Sequence, residues 1–422
     1  MRKALAVVTL LLTFSAHAQV PATGHNYEFA DGTWFNGQKF VRRTFYSVGG
    51  TLTSKRPARV DRVFDLSAKY VVPPFGEAHN HNLDWSSDER FARVNKMYLD
   101  AGIFYVKNPN SLLRSKAPTS ARINLSASVD GILSNGGLTA SGGHPIEIVT
   151  PQRGFKPDDG EGQFYYVVDN AADLERKWPA IKAGQPDFIK TYLMYSEEYA
   201  KRKDDKAYDG WKGLDPAILP EIVRKAHRDG LRVSTHVETA VDFHNAVAAG
   251  VDEINHLPGF RPDRNDVANY ADLERYQIFE ADAKFAGSKK IVVVTTIGET
   301  VEQTFNNKFG ERERLAVRAM LIRNLQVLHK HNVPIAIGSD SFRQTALVEA
   351  LSLARLQAFD NLTLLKMWCE TTAATIFPKR KIGHLKDGYE ANFLVLSANP
   401  LIDFANVKTI ERRIKRGEPL EP

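Results

Sequence analysis

Residues 231–256 read LRVSTHVETAVDFHNAVAAGVDEINH. Two runs of apolar and β-branched residues, Leu231–Val237 and Val251–Leu257, have strand composition. Each carries a histidine near its end, His236 and His256. Between them, Ala240 to Ala249 suits a helix that stops at Gly250. A strand, a helix and a second strand joined this closely make parallel neighbours. The pattern extends in both directions. Further strand-like runs lie at Ile103–Val106, Phe188–Leu193, Ile291–Ile297 and Val333–Gly338. A helix is expected from Asp215 to Asp229, with Asp215 as cap, Pro216 at its first position and Gly230 at its end. A longer one is expected from Glu311 to His331. From Phe75 onward the alternation predicts an α/β fold whose βα loops gather at one end. The flanks differ. Thr33–Phe35, Lys39–Tyr46 and Arg59–Leu66 are β-rich runs broken by turn signals at Asn36-Gly37 and Gly49-Gly50, and Tyr389–Leu420 is β-like again.

The chain has 422 residues, enough for two to three domains or one large barrel with an appendage. Hydrophobic residues at 43% and charged residues at 25% exclude a disordered, collagenous or coiled-coil protein. The net charge is +6, of which Arg2 and Lys3 contribute two, leaving +4 for residues 19–422. That surplus is small and unclustered, so no nucleic-acid partner is expected. The basic start Met1-Arg2-Lys3, the apolar run Ala4–Ser15 and Ala16-His17-Ala18 match a secretory signal peptide over residues 1–18. The expected mature chain begins at Gln19 and is exported, to a bacterial periplasm or the medium. No later long apolar run is present, so no membrane partner is expected after cleavage. Cys369 is the single cysteine, which excludes an intramolecular disulfide.

Twelve histidines are present, and their placement carries the chemistry. His79 and His81 are two apart, so in an extended segment both imidazoles face one side and can converge on one ion. His236, His256 and Asp340 each follow apolar strand residues at the start of a βα loop. In a parallel barrel that end holds the catalytic groups. Each residue alone is better read as a satisfied core histidine or a capping aspartate; together at strand ends they form a set. Lys190 sits in a strand one before His236. An ammonium inside a barrel is costly unless paired, and it has no lone pair for a metal. A carbamate formed with CO2 would be anionic and could bridge two cations; the alternative is a lysine paired with a neighbouring acid.

Gly76-Glu77-Ala78-His79-Asn80-His81, Lys190, His236, His256 and Asp340 together resemble the amidohydrolase superfamily, as do Val247–His256 and Ile382–Phe393. The resemblance covers almost all of the mature chain. The Gly-rich stretch Asn135–His144 is similar to that of the imidazolonepropionase-like and prolidase-like branch. Glu77 departs from the pattern, standing where many relatives have Asp. The resemblance implies a (β/α)8 TIM-type barrel over 74–388, with a small β-sandwich domain built from 19–73 and 389–422. It implies two divalent metal ions, zinc being the default. His79, His81 and Asp340 would hold one and His236 and His256 the other, with carboxylated Lys190 and a hydroxide bridging them. Asp340 would serve as general base and then acid.

The substrate expected is a small molecule, a dipeptide or N-acyl amino acid cut at its amide bond. The same centre could open a cyclic amide or lactone or cleave a phosphoester. A deaminase fits less well, because Glu238 lies two residues after His236 rather than three. A non-catalytic binding protein on the same scaffold is the reading from a different class; metal content and turnover would separate the two. A homo-oligomer is left open. His144 is a candidate catalytic residue and, with Tyr192, a candidate substrate contact, and Arg261, Arg264 or Arg343 could hold a substrate carboxylate. His25, His227, His244, His329, His331 and His384 read as structural or surface residues.

Overall fold

The computed structural model describes residues 24–83, 87–148, 156–262, 267, 270–306 and 309–420. The expected signal peptide and Arg264 lie outside the described residues. Among the described residues the alternating region contains ten short strands. Two of them, Gly137–Thr139 and Tyr165–Val167, come between the third and fourth of the main eight, and the third was not expected from the sequence. The eight are β1 (Phe75–Glu77), β2 (Ile103–Asn108), β3 (Asp130–Leu133), β4 (Ile189–Tyr192), β5 (Val233–His236), β6 (Glu253–Asn255), β7 (Val292–Val294) and β8 (Ile335–Ala336). β1 to β3 form one parallel sheet; β4 to β8 form a second in sequence order, with Gly137–Thr139 and Tyr165–Val167 added at the edge of β4. Backbone hydrogen bonds join the two sheets, from Ala78 to Ile337 (3.0 Å) and from Asp187 to Leu133 (2.9 Å). The result is a TIM-barrel-like α/β fold. All six positions of β2 and all four of β4 and of β5 are buried, as strands covered on both faces require.

The helix Ala240–Ala249 has the expected bounds. Thr239 and Asp242 form a capping box at its start, and Gly250 ends it with φ 78°. The long helix spans Glu311–Lys330. The helix expected from Asp215 begins instead at Leu219 and ends at Arg228. Asp215 caps a turn rather than the helix, accepting from the Ala217 N–H at 2.9 Å, and it is Pro220 that occupies the first helical turn.

Both chain ends build one eight-stranded sheet. Asn26–Phe35, Phe40–Val48, Thr51–Thr53, Arg62–Asp65 and Tyr70–Val72 pair with Phe393–Leu396, Ile410–Lys415 and Glu418–Pro419. The sheet has its own apolar core, including Phe29, Trp34, Phe45, Phe64 and Phe393. It meets the parallel strands at Asp130 of β3, a fully buried carboxylate. Lys415 Nζ (2.7 Å), Arg416 (3.1 Å) and Arg380 (2.7 Å) surround it. Among the described residues no helix is long and apolar enough to cross a membrane.

Candidate active site

The candidate residues project from the carboxyl ends of β1, β4, β5, β6 and β8. At β1, Glu77 is a buried clamp. It accepts hydrogen bonds from the Ser339 N–H (2.8 Å), the Ser339 hydroxyl (2.9 Å) and the Ala346 N–H (2.6 Å), while burial pushes its carboxyl up to about 8. The clamp ties β1 to the segment that carries Asp340. The same segment donates from the Asp340 N–H to the His79 carbonyl at 2.8 Å. Gly338 permits this approach, since a Cβ there would lie 2.7 Å from the His79 nitrogen.

Asp340 Oδ1 then faces both histidines of the His-Asn-His pair. His79 Nε2 lies 3.5 Å away and His81 Nε2 3.1 Å away. Ligand atoms of His79, His81 and Asp340 all lie within 4.8 Å of one another. Arg261 reaches Asp340 Oδ2 at 3.3 Å. Burial pushes the Asp340 carboxyl up, but Arg261 and the hydrogen bonds from His79 and His81 outweigh it and hold the group well below the usual carboxylate range. Burial lowers His79 to about 3 and holds His236 and His256 well below the ordinary histidine value. All three are therefore neutral near pH 7, with a lone pair to donate.

A row of rings continues from this group. His79 lies 4.7 Å from His256, His256 4.4 Å from His236, and His236 5.1 Å from His144, centroid to centroid. His144 lies 5.3 Å from Tyr192. His256 Nδ1 is held by the Thr296 hydroxyl at 2.7 Å, leaving its other ring nitrogen for the site. His236 Nε2 contacts the buried carboxyl of Glu238 at 3.0 Å. Lys190 is buried, and its Nζ donates to Asn255 Oδ1 at 2.6 Å. Burial lowers this amine to about 7. Buried neutral imidazoles beside one carboxylate, with a lysine able to exist as a free amine, are a donor set that fits divalent metal ions.

The structure thus brings together His79, His81, His144, Lys190, Tyr192, His236, His256, Asp340 and Arg261. Arg343 instead lines a surface groove with Arg93, Lys96, Met97 and Asp100. Among the described residues the remaining histidines have ordinary partners: His227 meets Asp252, His244 meets Asp282, His331 meets Glu280, His25 meets Glu418, His384 meets Glu370 and His329 packs on Phe359. Sequence reasoning missed Asn255, Thr296 and the aromatic Phe260, stacked 4.0 Å from His256. Position offered one signal, since Asn255 immediately precedes His256.

The amidohydrolase family profile matches residues 173–420. The chain belongs to the amidohydrolase family. Ochratoxinase of Aspergillus niger is 24% identical over 211 residues, which cover 49% of this chain and 41% of that protein. The match thus spans less than half the length of that curated relative. In structure, the A. niger ochratoxinase crystal structure superposes with a TM-score of 0.70 at 17% identity, covering 94% of this chain and 96% of that one. A Xaa-Pro dipeptidase with methionine in its active site gives 0.70 at 18% identity, covering 94% and 100%. A prolidase complexed with N-methylphosphonate-L-proline gives 0.68 at 17%, covering 94% and 99%. These structural likenesses agree with the TIM-barrel-like fold of this amidohydrolase.

Proposed function

We propose that this amidohydrolase is an exported, metal-dependent enzyme that cleaves the amide bond of a dipeptide or N-acyl amino acid. The observation that carries this reading is the convergence of His79, His81 and Asp340, continued by the row of rings through His256 and His236, at the loop end of the parallel strands. Residues 74–388 form a closed barrel in this proposal, and 19–73 with 389–422 form a β-sandwich. Two divalent ions, zinc first, would be held by His79, His81 and Asp340 and by His236 and His256, with a carbamate on Lys190 as shared ligand. Bound there, they supply Lewis acidity and a water acidic enough to attack near neutral pH.

The chain's own groups do the rest. Asp340 takes the proton from the attacking water at its carboxylate and passes it to the leaving nitrogen. Arg261 is placed to hold a substrate carboxylate, which fixes the amide for attack. His144 and Tyr192, whose rings lie 5.3 Å apart beside His236, are the proposed substrate contacts at that end of the row. His144 is itself oriented by Glu147, 2.5 Å from its Nδ1.

Elemental analysis of protein prepared without chelators is expected to give about two ions per chain, on two-metal logic. His236→Ala and His256→Ala should each empty the same one of the two sites. A stoichiometry near one that added metal does not change would sink the binuclear proposal. The substrate class is tested by comparing free-acid and C-terminally amidated forms of the best substrate from dipeptide and N-acyl amino acid panels. Arg261→Ala should lower kcat/KM for the free acid about tenfold or more, because charge-assisted hydrogen bonds contribute about 1.5–3 kcal/mol. The amidated form should lose much less. Equal kcat/KM for the two forms on the unaltered enzyme would reject the carboxylate clamp and move the substrate toward cyclic amides or esters.

A further inference from the structure

Lys190 is 1% exposed, yet its side chain is not loosely housed. Its Nζ donates to Asn255 Oδ1 at 2.6 Å. The other end of the same amide, Asn255 Nδ2, donates to Glu253 Oε1 at 2.9 Å. Glu253 is pinned in turn by Lys107 Nζ (2.6 Å), the Ser234 hydroxyl (3.0 Å) and the Thr375 hydroxyl (2.6 Å). This network decides which way the amide faces. Flipping it would set a carbonyl oxygen against the Glu253 carboxylate, which can only accept, and would leave the Lys190 N–H groups without this acceptor. Asn255 therefore presents an acceptor to Lys190 in a fixed direction. Gly137 keeps the other side clear, since a Cβ there would lie 3.1 Å from Lys190 Cγ and 2.6 Å from Tyr192 Cε2.

We infer that Asn255 is a positioning residue that fixes the plane of a carbamate on Lys190, with the buried Glu253–Lys107 pair holding Asn255 in turn. The inference rests on the carbamate proposed above. In that reaction the Lys190 nitrogen lone pair forms a bond to the carbon of CO2, one C=O electron pair moves to oxygen, and one N–H proton leaves to water. A single N–H remains. An acceptor at Asn255 Oδ1 engages it, and because the carbamate is planar this sets where its two oxygens point. Without that acceptor the group can rotate about the Lys190 side chain, and its oxygens are no longer delivered to the ions.

The test uses full-length Asn255→Leu, which keeps the volume and removes the acceptor, and Asn255→Ala, which relieves any clash. Protein is equilibrated with 13C-bicarbonate and zinc. Carbamate is read by 13C NMR, metal by elemental analysis and folding by thermal melts. The unaltered protein should carry the labelled carbamate. The variants should lose most of the label and bind the ion at His236 and His256 about 10- to 100-fold more weakly, as loss of an outer partner does. The ion at His79, His81 and Asp340 shares the carbamate but keeps three ligands of its own, so it should weaken less. A general packing defect would instead lower the thermal midpoint together with metal binding, and carbamate loss with an unchanged midpoint separates the two. Full label and two tightly bound ions in either folded variant would overturn the inference while leaving the carbamate standing. Absence of label in the unaltered protein would overturn both. A crystal structure of the unaltered, zinc-loaded protein decides the matter if neither variant folds. Asn255 Oδ1 within hydrogen-bond distance of the carbamate nitrogen supports the inference, and an Asn255 turned away overturns it.

Discussion

Asp340→Asn is expected to lower kcat by about two to four orders of magnitude, the usual contribution of a positioned acid–base group. The substitution targets that role, and because Asp340 is also a proposed metal ligand, metal content must be measured beside the rate. Asp340 has φ 49°, in the left-handed region, where asparagine and aspartate are both tolerated and most other residues are strained. Asparagine keeps the volume and the backbone. It also keeps a carbonyl oxygen for the histidines, but it cannot take a proton from water at neutral pH. Alanine at this position would confuse the result by adding backbone strain. The Glu77 clamp and the Asp340 N–H bond to the His79 carbonyl do not involve the altered atoms, so the thermal midpoint should move little. Steady-state kinetics with metal content measured on the same sample checks the prediction. A variant that keeps full metal and loses less than about tenfold in kcat would remove Asp340 from proton transfer. Another acceptor would then be needed, and the buried Glu238, 3.0 Å from His236, would be the first to examine.

What was legible in the sequence follows a physical division. Strand ends carrying His or Asp after apolar residues could be read because burial on both faces leaves an uninterrupted apolar run before the first polar group. The helix Ala240–Ala249 could be read because its cap and its glycine are local signals. β3 could not. Its text is Asp130-Gly131-Ile132-Leu133, and Asp-Gly ordinarily marks a turn. The aspartate is tolerated in a buried strand because Lys415, 285 residues away, neutralises it together with Arg380 and Arg416. Lys107 in the middle of β2 has the same explanation, pairing with Glu253 across 146 residues. Choosing among the arginines was equally non-local. Arg343 is three residues from Asp340 but lines an outer groove, whereas Arg261 arrives from the loop after β6 and lies 3.3 Å away. The cap at Asp215 was a true cap signal applied to the wrong element. Aspartate closes a short turn as readily as it starts a helix.

Asp130→Leu is expected to destabilise the protein by about 3–5 kcal/mol, the cost of leaving a buried charge without its partner. Asp130 and Lys415 are each 0% exposed, and Arg380 and Arg416 close around the same carboxylate. Lys415 would keep its bonds to the Leu125 and Ser128 carbonyls, but these do not cancel its charge. Leucine fits the volume, so the loss is electrostatic rather than a cavity. The site also joins two parts of the chain. Asp130 is the first residue of β3, and Lys415 ends the strand Ile410–Lys415 of the terminal sheet. The damage should therefore separate them. Hydrogen exchange should rise across the terminal sheet and β3 before it rises at β5 and β6, and activity at low temperature should survive better than the thermal midpoint. Burial pushes the Asp130 carboxyl up, but Lys415, Arg380 and Arg416 overcome it and hold the group below its ordinary value. Its contribution is thus complete above the unfolded-state value of about 3.9 and fades only as pH falls through the lower folded value. At neutral pH the unaltered protein and the variant should differ by the full amount, and the gap should narrow in acid. Denaturant unfolding of both proteins at neutral and acidic pH measures this. A difference below about 1 kcal/mol at neutral pH would show that the cations find water or other partners once Asp130 is gone, and that the joint is held by packing alone.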